Sequence, residues 1–443
     1  MKKIKGFLLV GISLVLIGCG LLAIPSIRER VLWQLDLLQV RIRYALFPPP
    51  QQLFVPQAEV QQVVDATLTA MAPTATFTPT ATMTPTHPPD KPTPTPTLTP
   101  TPTQTPTPLP ASASLKGVRY TDQHGAWNYC APANLAMALS YWGWKGTRED
   151  TGKYLKPFPE DKNVMPYEMV NFIEEKTPYG VMLRSGGTPQ LLKALISSGF
   201  PVLVERGIFL PEYTGVISWM GHYQVLTGYD DAKSIFIAQD SFNGPDFPAA
   251  YTEFMQGWRA FNYVFLVVYT KDKEAQVQNL LGPLVDENRA YQIAANIAST
   301  EIVTMTGIDQ FFAWYNRGTN LVKLQDYGGG AKAYDEALLK LYPNLPKDKL
   351  PFRMLWYQTG PYYAYYFVGR YYDVVNLATE TVVVAEKRTG KPPYLEESFY
   401  WRAKGLLALG DTVKAGEDLK TCLKYHPGFG PCVDEAQKMG LKY

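Results

Sequence analysis

From Thr67 to Ser114 the chain is almost wholly a Thr-Pro repeat, which holds about a third of its 37 prolines. Proline fixes φ and donates no hydrogen bond, and so polar a stretch buries too little apolar surface to offset the entropy of ordering. Residues 67–114 are therefore expected to be a disordered linker with a bias to extended polyproline geometry. Whatever folds must fold outside it. At about 3.1 Å per residue the linker could reach on the order of 100–150 Å. That length suits passage through a cell wall, and the threonines are candidates for O-glycosylation.

Ahead of the linker, residues 1–5 carry three lysines, and Gly6 to Ile24 is apolar and uncharged. About 19 such residues can span a bilayer as a helix. Residues 1–25 read as a signal anchor or a lipoprotein signal. Leu16-Ile17-Gly18-Cys19 is similar to a bacterial lipobox, but Gly20 to Ile24 stays apolar where polar residues usually follow. A removed signal peptide is the third alternative. All three place the rest outside the cytoplasm, and the anchor or the lipid would hold it at the cell membrane on the extracytoplasmic side. Residues 26–66 form a stalk, in which 27–47 alternates Arg with Leu, Val and Ile at helical spacing. Such an amphipathic helix lies on headgroups, pairs with a copy of itself, or serves as a plain stalk.

The length of 443 residues implies two or three domains, and 46% hydrophobic content supplies their cores. A net charge of +2 without clusters offers no footprint for nucleic acid. Cys19, Cys130, Cys422 and Cys432 are too few for a disulfide-rich scaffold. With His87, His124, His222 and His426 they form no local zinc-ligand pattern, so neither a metal nor a cofactor is expected. Cys422 and Cys432 fall at the facing ends of two expected helices, where a disulfide would join them.

Folded sequence resumes near Leu115 and is organised around Gln123 to Trp144, QHGAWNYCAPANLAMALSYWGW. After Cys130, Leu135, Ala138, Leu139 and Trp142 recur at three and four positions, one buried helix face. Cys130 opens this helix, Pro132 suits its first turn, and Asn128 is the expected cap. A thiol at a helix N-terminus is biased towards thiolate. A lone cysteine more often simply packs. Here Cys130 precedes the apolar face, with a Gln before it and a His downstream.

Helices are expected at Met165–Glu175 and Pro189–Ser198, the second capped by Thr188 and stopped by Gly199. Short runs of branched and aromatic residues follow as strands, at 201–204, 223–226, 235–238 and 263–268. Helices first and an antiparallel sheet after give an α+β order. His222 stands after a glycine at the head of a strand, Asp240 ends the next strand, and Asp230 with Asp231 marks the turn between them.

The Gln, the Trp-Asn-x-Cys-x-Pro-Ala segment and the small-residue helix resemble the papain-like cysteine peptidases of the bacteriocin-processing, double-glycine type, in stand-alone form. The resemblance covers residues 115–270. It implies a papain-like fold in which Cys130 is the nucleophile, His222 its base, Asp240 the residue that orients His222, and Gln123 an oxyanion donor. Two positions depart from the family pattern: Ala131 stands where a Gly commonly follows the nucleophile, and Gln123 lies seven residues before Cys130, about one more than usual. His124 lacks a strand to fix it and ranks below His222 as the base.

Residues 271–310 read as a helical connector. Residues 311–443 resemble tetratricopeptide repeats, an all-α array, with copies around Gly318 to Pro343 and Gly410 to Pro427 and a degenerate middle one. The tyrosines between Tyr362 and Tyr372 are core packing or a groove for a protein partner. The expected function is a membrane-tethered extracytoplasmic cysteine peptidase acting on a peptide or protein substrate. Two alternatives stay open, a transglutaminase-like or wall-amidase enzyme with the same residues, and a non-catalytic scaffold binding through its repeats.

Overall fold

The strands read as unbroken apolar runs because the sheet is covered on both faces. Val202 and Val204 pack with Leu192, Leu195, Phe254 and Trp258 on one side. Leu203, between them, packs with Leu135, Leu139 and Tyr223 on the other. This is the period of two that a strand imposes on its side chains. The computed structural model describes residues 108–443 except 127, 159 and 212–216. The expected anchor, the stalk and nearly all of the Thr/Pro linker lie outside the described residues; the last three linker residues, 112–114, were expected to be disordered but form a strand against residues 228–230, whose backbone supplies their partners. Among the described residues, no helix is long and apolar enough to cross a membrane.

The sheet is antiparallel, with strands β1 (Ser112–Ser114), β2 (Gly180–Arg184), β3 (Val202–Pro211), β4 (Ile217–Asp230), β5 (Ile235–Asp240), β6 (Gly244–Ala250) and β7 (Phe265–Tyr269). Their order is β2-β7-β3-β4-β5-β6, with β1 beside the end of β4. Helix α1 (Cys130–Tyr141) lies on one face with α2 (Arg148–Leu155) and α3 (Pro166–Lys176) near it, and α4 (Pro189–Ser197) and α5 (Tyr251–Arg259) cover the other. Thr188 caps α4 as expected, its side chain accepting from the Leu191 N–H.

One expectation fails in detail. His222 is not at the head of a strand: β4 begins five residues earlier, and residues 217–221 pair with 207–211 of β3. Gly207 and Gly221 sit opposite each other inside one long hairpin.

From residue 271 onward the described chain is helical. Helices α6 (Glu274–Leu281) and α7 (Glu287–Thr304) add Val277, Leu281 and Ala290 to the sheet's own core, so this stretch packs against the first region. Helix α8 (Gly307–Lys323) then pairs with α9 (Tyr327–Tyr334), which is prolonged by a π-helical turn over Asp335–Leu341. After the short α10 (Met354–Tyr357), further pairs are α11 (Gly360–Phe367) with α12 (Tyr371–Thr389) and α13 (Glu396–Ala408) with α14 (Thr412–Tyr425), ending in α15 (Gly430–Lys438). Asp326 and Asp411 cap α9 and α14 with their carboxylates. Cys422 and Cys432 are disulfide-bonded, tying α14 to α15.

The two regions share a core. Trp219 of β4 lies against Phe261 at 5.8 Å and against Phe312 of α8 at 5.9 Å. Asn262 and Asn320 exchange side-chain hydrogen bonds of 2.7 and 3.0 Å, and Arg259 pairs with Glu301 at 2.8 Å and Asp309 at 2.9 Å. These buried bonds fix how the helical array sits against β4.

Candidate active site

Cys130 is the first residue of α1, and no side chain caps that helix. The expected cap, Asn128, has φ 51° and turns away, its Nδ2 donating to the Asp161 carbonyl at 3.1 Å. With no side chain capping it, α1 keeps its first N–H groups available. The Ala131 N–H and the Tyr223 N–H both point at the Cys130 sulfur.

His222 and Asp240 are 2% and 0% exposed. The Nε2 of His222 meets Asp240 Oδ1 at 2.8 Å, which turns its other nitrogen to the Cys130 thiol, with which it hydrogen-bonds. Asp240 is held from all sides. Its Oδ1 also accepts from the N–H groups of Phe242 at 2.8 Å and Asn243 at 3.0 Å, and its Oδ2 from Asn243 Nδ2 at 2.9 Å and from Gln224 Nε2.

These contacts set the protonation states. Burial would raise the Asp240 carboxyl, but the charge and hydrogen bond of His222 with the Asn243 donors hold it well below the usual range. Burial would lower His222, yet Asp240 and Cys130 raise it to about 9. Burial would likewise raise the Cys130 thiol, and the His222 hydrogen bond and charge bring it below its ordinary value. Both shifts run towards thiolate beside imidazolium.

Gln123 joins the site by a separate tie. Its N–H donates to the Ser241 carbonyl at 2.9 Å, and its Oε1 accepts from Ser241 Oγ at 2.7 Å. That leaves Nε2 as the donor for the cleft that Gln123 and Cys130 both line. His124 instead pairs with Asp122 at 2.9 Å on the surface. Asp230 and Asp231 stand at the turn leaving β4 and hold Lys233 and Lys193.

Three supporting residues were not anticipated. Gln224 is two positions after His222, on the same face of β4, and Asn243 sits just past Asp240. Asn134, one helical turn after Cys130, has Nδ2 within 2.9 Å of the Cys130 carbonyl and 2.8 Å of both the Tyr223 carbonyl and Ser241 Oγ. The i+2 and i+4 spacings were visible signals.

Comparison with known proteins bears on the same stretch. Residues 115–265 match the model of the Peptidase_C39 like family. The matched stretch is about a third of the chain and contains Cys130, His222, Asp240 and Gln123. Among solved structures, a protein from Bacillus anthracis assigned as a C39-like peptidase is similar over 36% of this chain and 98% of its own, at 15% identity and a TM-score of 0.30. A search of curated proteins finds no match.

Proposed function

We propose that this chain is a cysteine peptidase in which Cys130 attacks, His222 transfers the proton, Asp240 orients His222, and Gln123 helps to bind the oxyanion. The observation that carries the reading is the line from thiol to imidazole to a carboxylate that accepts several donors. The thiolate adds to a peptide carbonyl, and the oxyanion takes hydrogen bonds from Gln123 Nε2 and an N–H at the start of α1. Imidazolium then protonates the leaving amine as the C–N bond breaks, giving a thioester. Water, losing a proton to His222, attacks the thioester, and the acid leaves as the thiol reforms.

The same proposal tethers the enzyme to a membrane through residues 1–25 and places its folded part outside the cytoplasm, with the Thr/Pro stretch ahead of β1 as spacer. The Cys422–Cys432 bond suits an oxidising compartment. The helix pairs of the C-terminal region are read as tetratricopeptide-like repeats.

The test is to incubate the full chain with a peptide library and read cleavages by mass spectrometry. Cleavage by wild type, absent from Cys130→Ala and from His222→Ala, is expected, since the two groups act as a unit. Transfer of the acyl group to an added amine in place of hydrolysis would favour the transglutaminase alternative. No reaction of any kind would leave the scaffold.

A further inference from the structure

The cleft over Cys130, about 630 Å³ in volume, is walled by both regions of the molecule. Cys130, His222, Gln123 and Phe242 line one side; on the other the helical region contributes Arg353, Trp356, Tyr357 and Lys391, next to Lys162 from the loop before α3. This second wall is cationic. Lys162 lies over the rings of Trp356 at 5.4 Å and Tyr394 at 5.7 Å. Burial and the charges of Arg353, Lys391 and Lys156 push its ammonium down to about 8. Arg353 is fixed by donating to Ser218 Oγ at 2.6 Å and the Trp219 carbonyl at 2.8 Å.

Among the described residues Asp161 attracts the Lys162 ammonium, but burial together with the repulsion of Arg353, Lys391 and Lys156 outweighs it. The one carboxyl among the described lining residues is Glu205, which burial raises well above the usual range and so biases towards its neutral form. Cations that crowd one another beside a substrate-sized void favour an anion between them, and a partly desolvated cleft strengthens the attraction.

We propose that this wall is an anion subsite, in which a carboxylate of the bound peptide close to the scissile bond sits between Lys162 and Lys391 while Trp356 and Tyr357 pack against its neighbours. The proposal rests on the peptidase reading and adds the substrate class, an acidic peptide. The helical region thus supplies specificity to a site whose reacting groups all lie before residue 270.

Binding of fluorescent hexapeptides to the full-length Cys130→Ala chain tests this without turnover, by anisotropy. One arm steps a Glu through each position of C-terminally amidated peptides against a Gln counterpart. A second compares free-acid and amidated Gln peptides, which separates a side-chain carboxylate from a chain terminus. At one position, or at the terminus, the acid is expected to bind about tenfold tighter. Added salt should shrink the difference. Lys391→Gln, on the surface, and Lys162→Met, which keeps the apolar stem, should each reduce it, and Lys391→Glu should turn the preference towards a Lys-containing peptide. Equal binding of acid and amide in every comparison, or a preference unchanged in both lysine variants, would overturn the proposal. Acid-selective binding with no cleavage by the wild-type chain would keep the subsite and end the peptidase reading; cleavage with no charge preference would do the reverse.

Discussion

Tyr357 of the helical region packs on Gly221, the residue before His222: a Cβ at position 221 would lie 3.2 Å from the Tyr357 ring and 2.8 Å from Phe261. The placement of His222 is therefore coupled to the docking of the helical array.

Gly221→Ala tests that coupling. The added methyl must displace an aromatic ring in a filled core, a change that typically costs about 1–3 kcal/mol. Thermal unfolding should move down accordingly. Turnover should fall by more than the loss of folded protein, because β4 carries His222 as it shifts. Unchanged turnover in the folded fraction would show that the contact is packing alone.

The pH profile follows from the three coupled groups. Activity needs thiolate together with imidazolium, so kcat/KM should rise as Cys130 loses its proton, at a pH below the ordinary thiol value, and fall as His222 loses its own near 9. Asp240→Asn removes the charge that raises His222, leaving burial to lower it, so the alkaline limb should move towards acid. The measurement is kcat/KM against pH for both proteins, and an unmoved alkaline limb would free Asp240 of this role.

Gln123→Ala should lower kcat by about 10²–10³ with little change in KM, because its Nε2 bond strengthens only as the oxyanion forms. Steady-state kinetics separates the two constants. A change in KM alone would make Gln123 a substrate-binding residue.

Reduction of the Cys422–Cys432 bond should loosen the end of the helical array. It closes a loop of about ten residues, for which the chain-entropy account gives roughly 2–3 kcal/mol. The purified chain should gain two hydrogens in intact mass on reduction, and Cys422→Ala should unfold at lower temperature. Two free thiols before reduction would remove the bond from the account.

The three side chains that the structure brings together were legible because each sits where local sequence fixes it: Cys130 ahead of an apolar helix face, Asp240 at a strand end, and His222 beside a glycine. The match of residues 115–265 to the peptidase family model covers the same groups. Less legible were elements whose stability comes from distant partners. Strand β6, GPDFPAA, has two prolines and reads as loop, yet it completes an edge of the sheet. Helix α2, REDTGKYL, is mostly polar, and it packs through Leu155 and a Thr151 hydroxyl that donates to the Pro132 carbonyl at 2.8 Å. The cap expected from Asn128 failed because that side chain had a tertiary partner, the carbonyl of Asp161. Least legible was the shared cleft, since nothing near Cys130 in sequence announces Trp356, Tyr357 or Lys391.

The most direct measurement of the central claim is the alkylation rate of Cys130 by iodoacetamide near pH 6, followed by intact mass. A thiolate held by His222 should react at least about tenfold faster than a free cysteine at that pH, even after its lower intrinsic nucleophilicity. His222→Ala should bring the rate down to the ordinary value. A Cys130 that alkylates like a free thiol, at a rate indifferent to His222→Ala, would contradict the account.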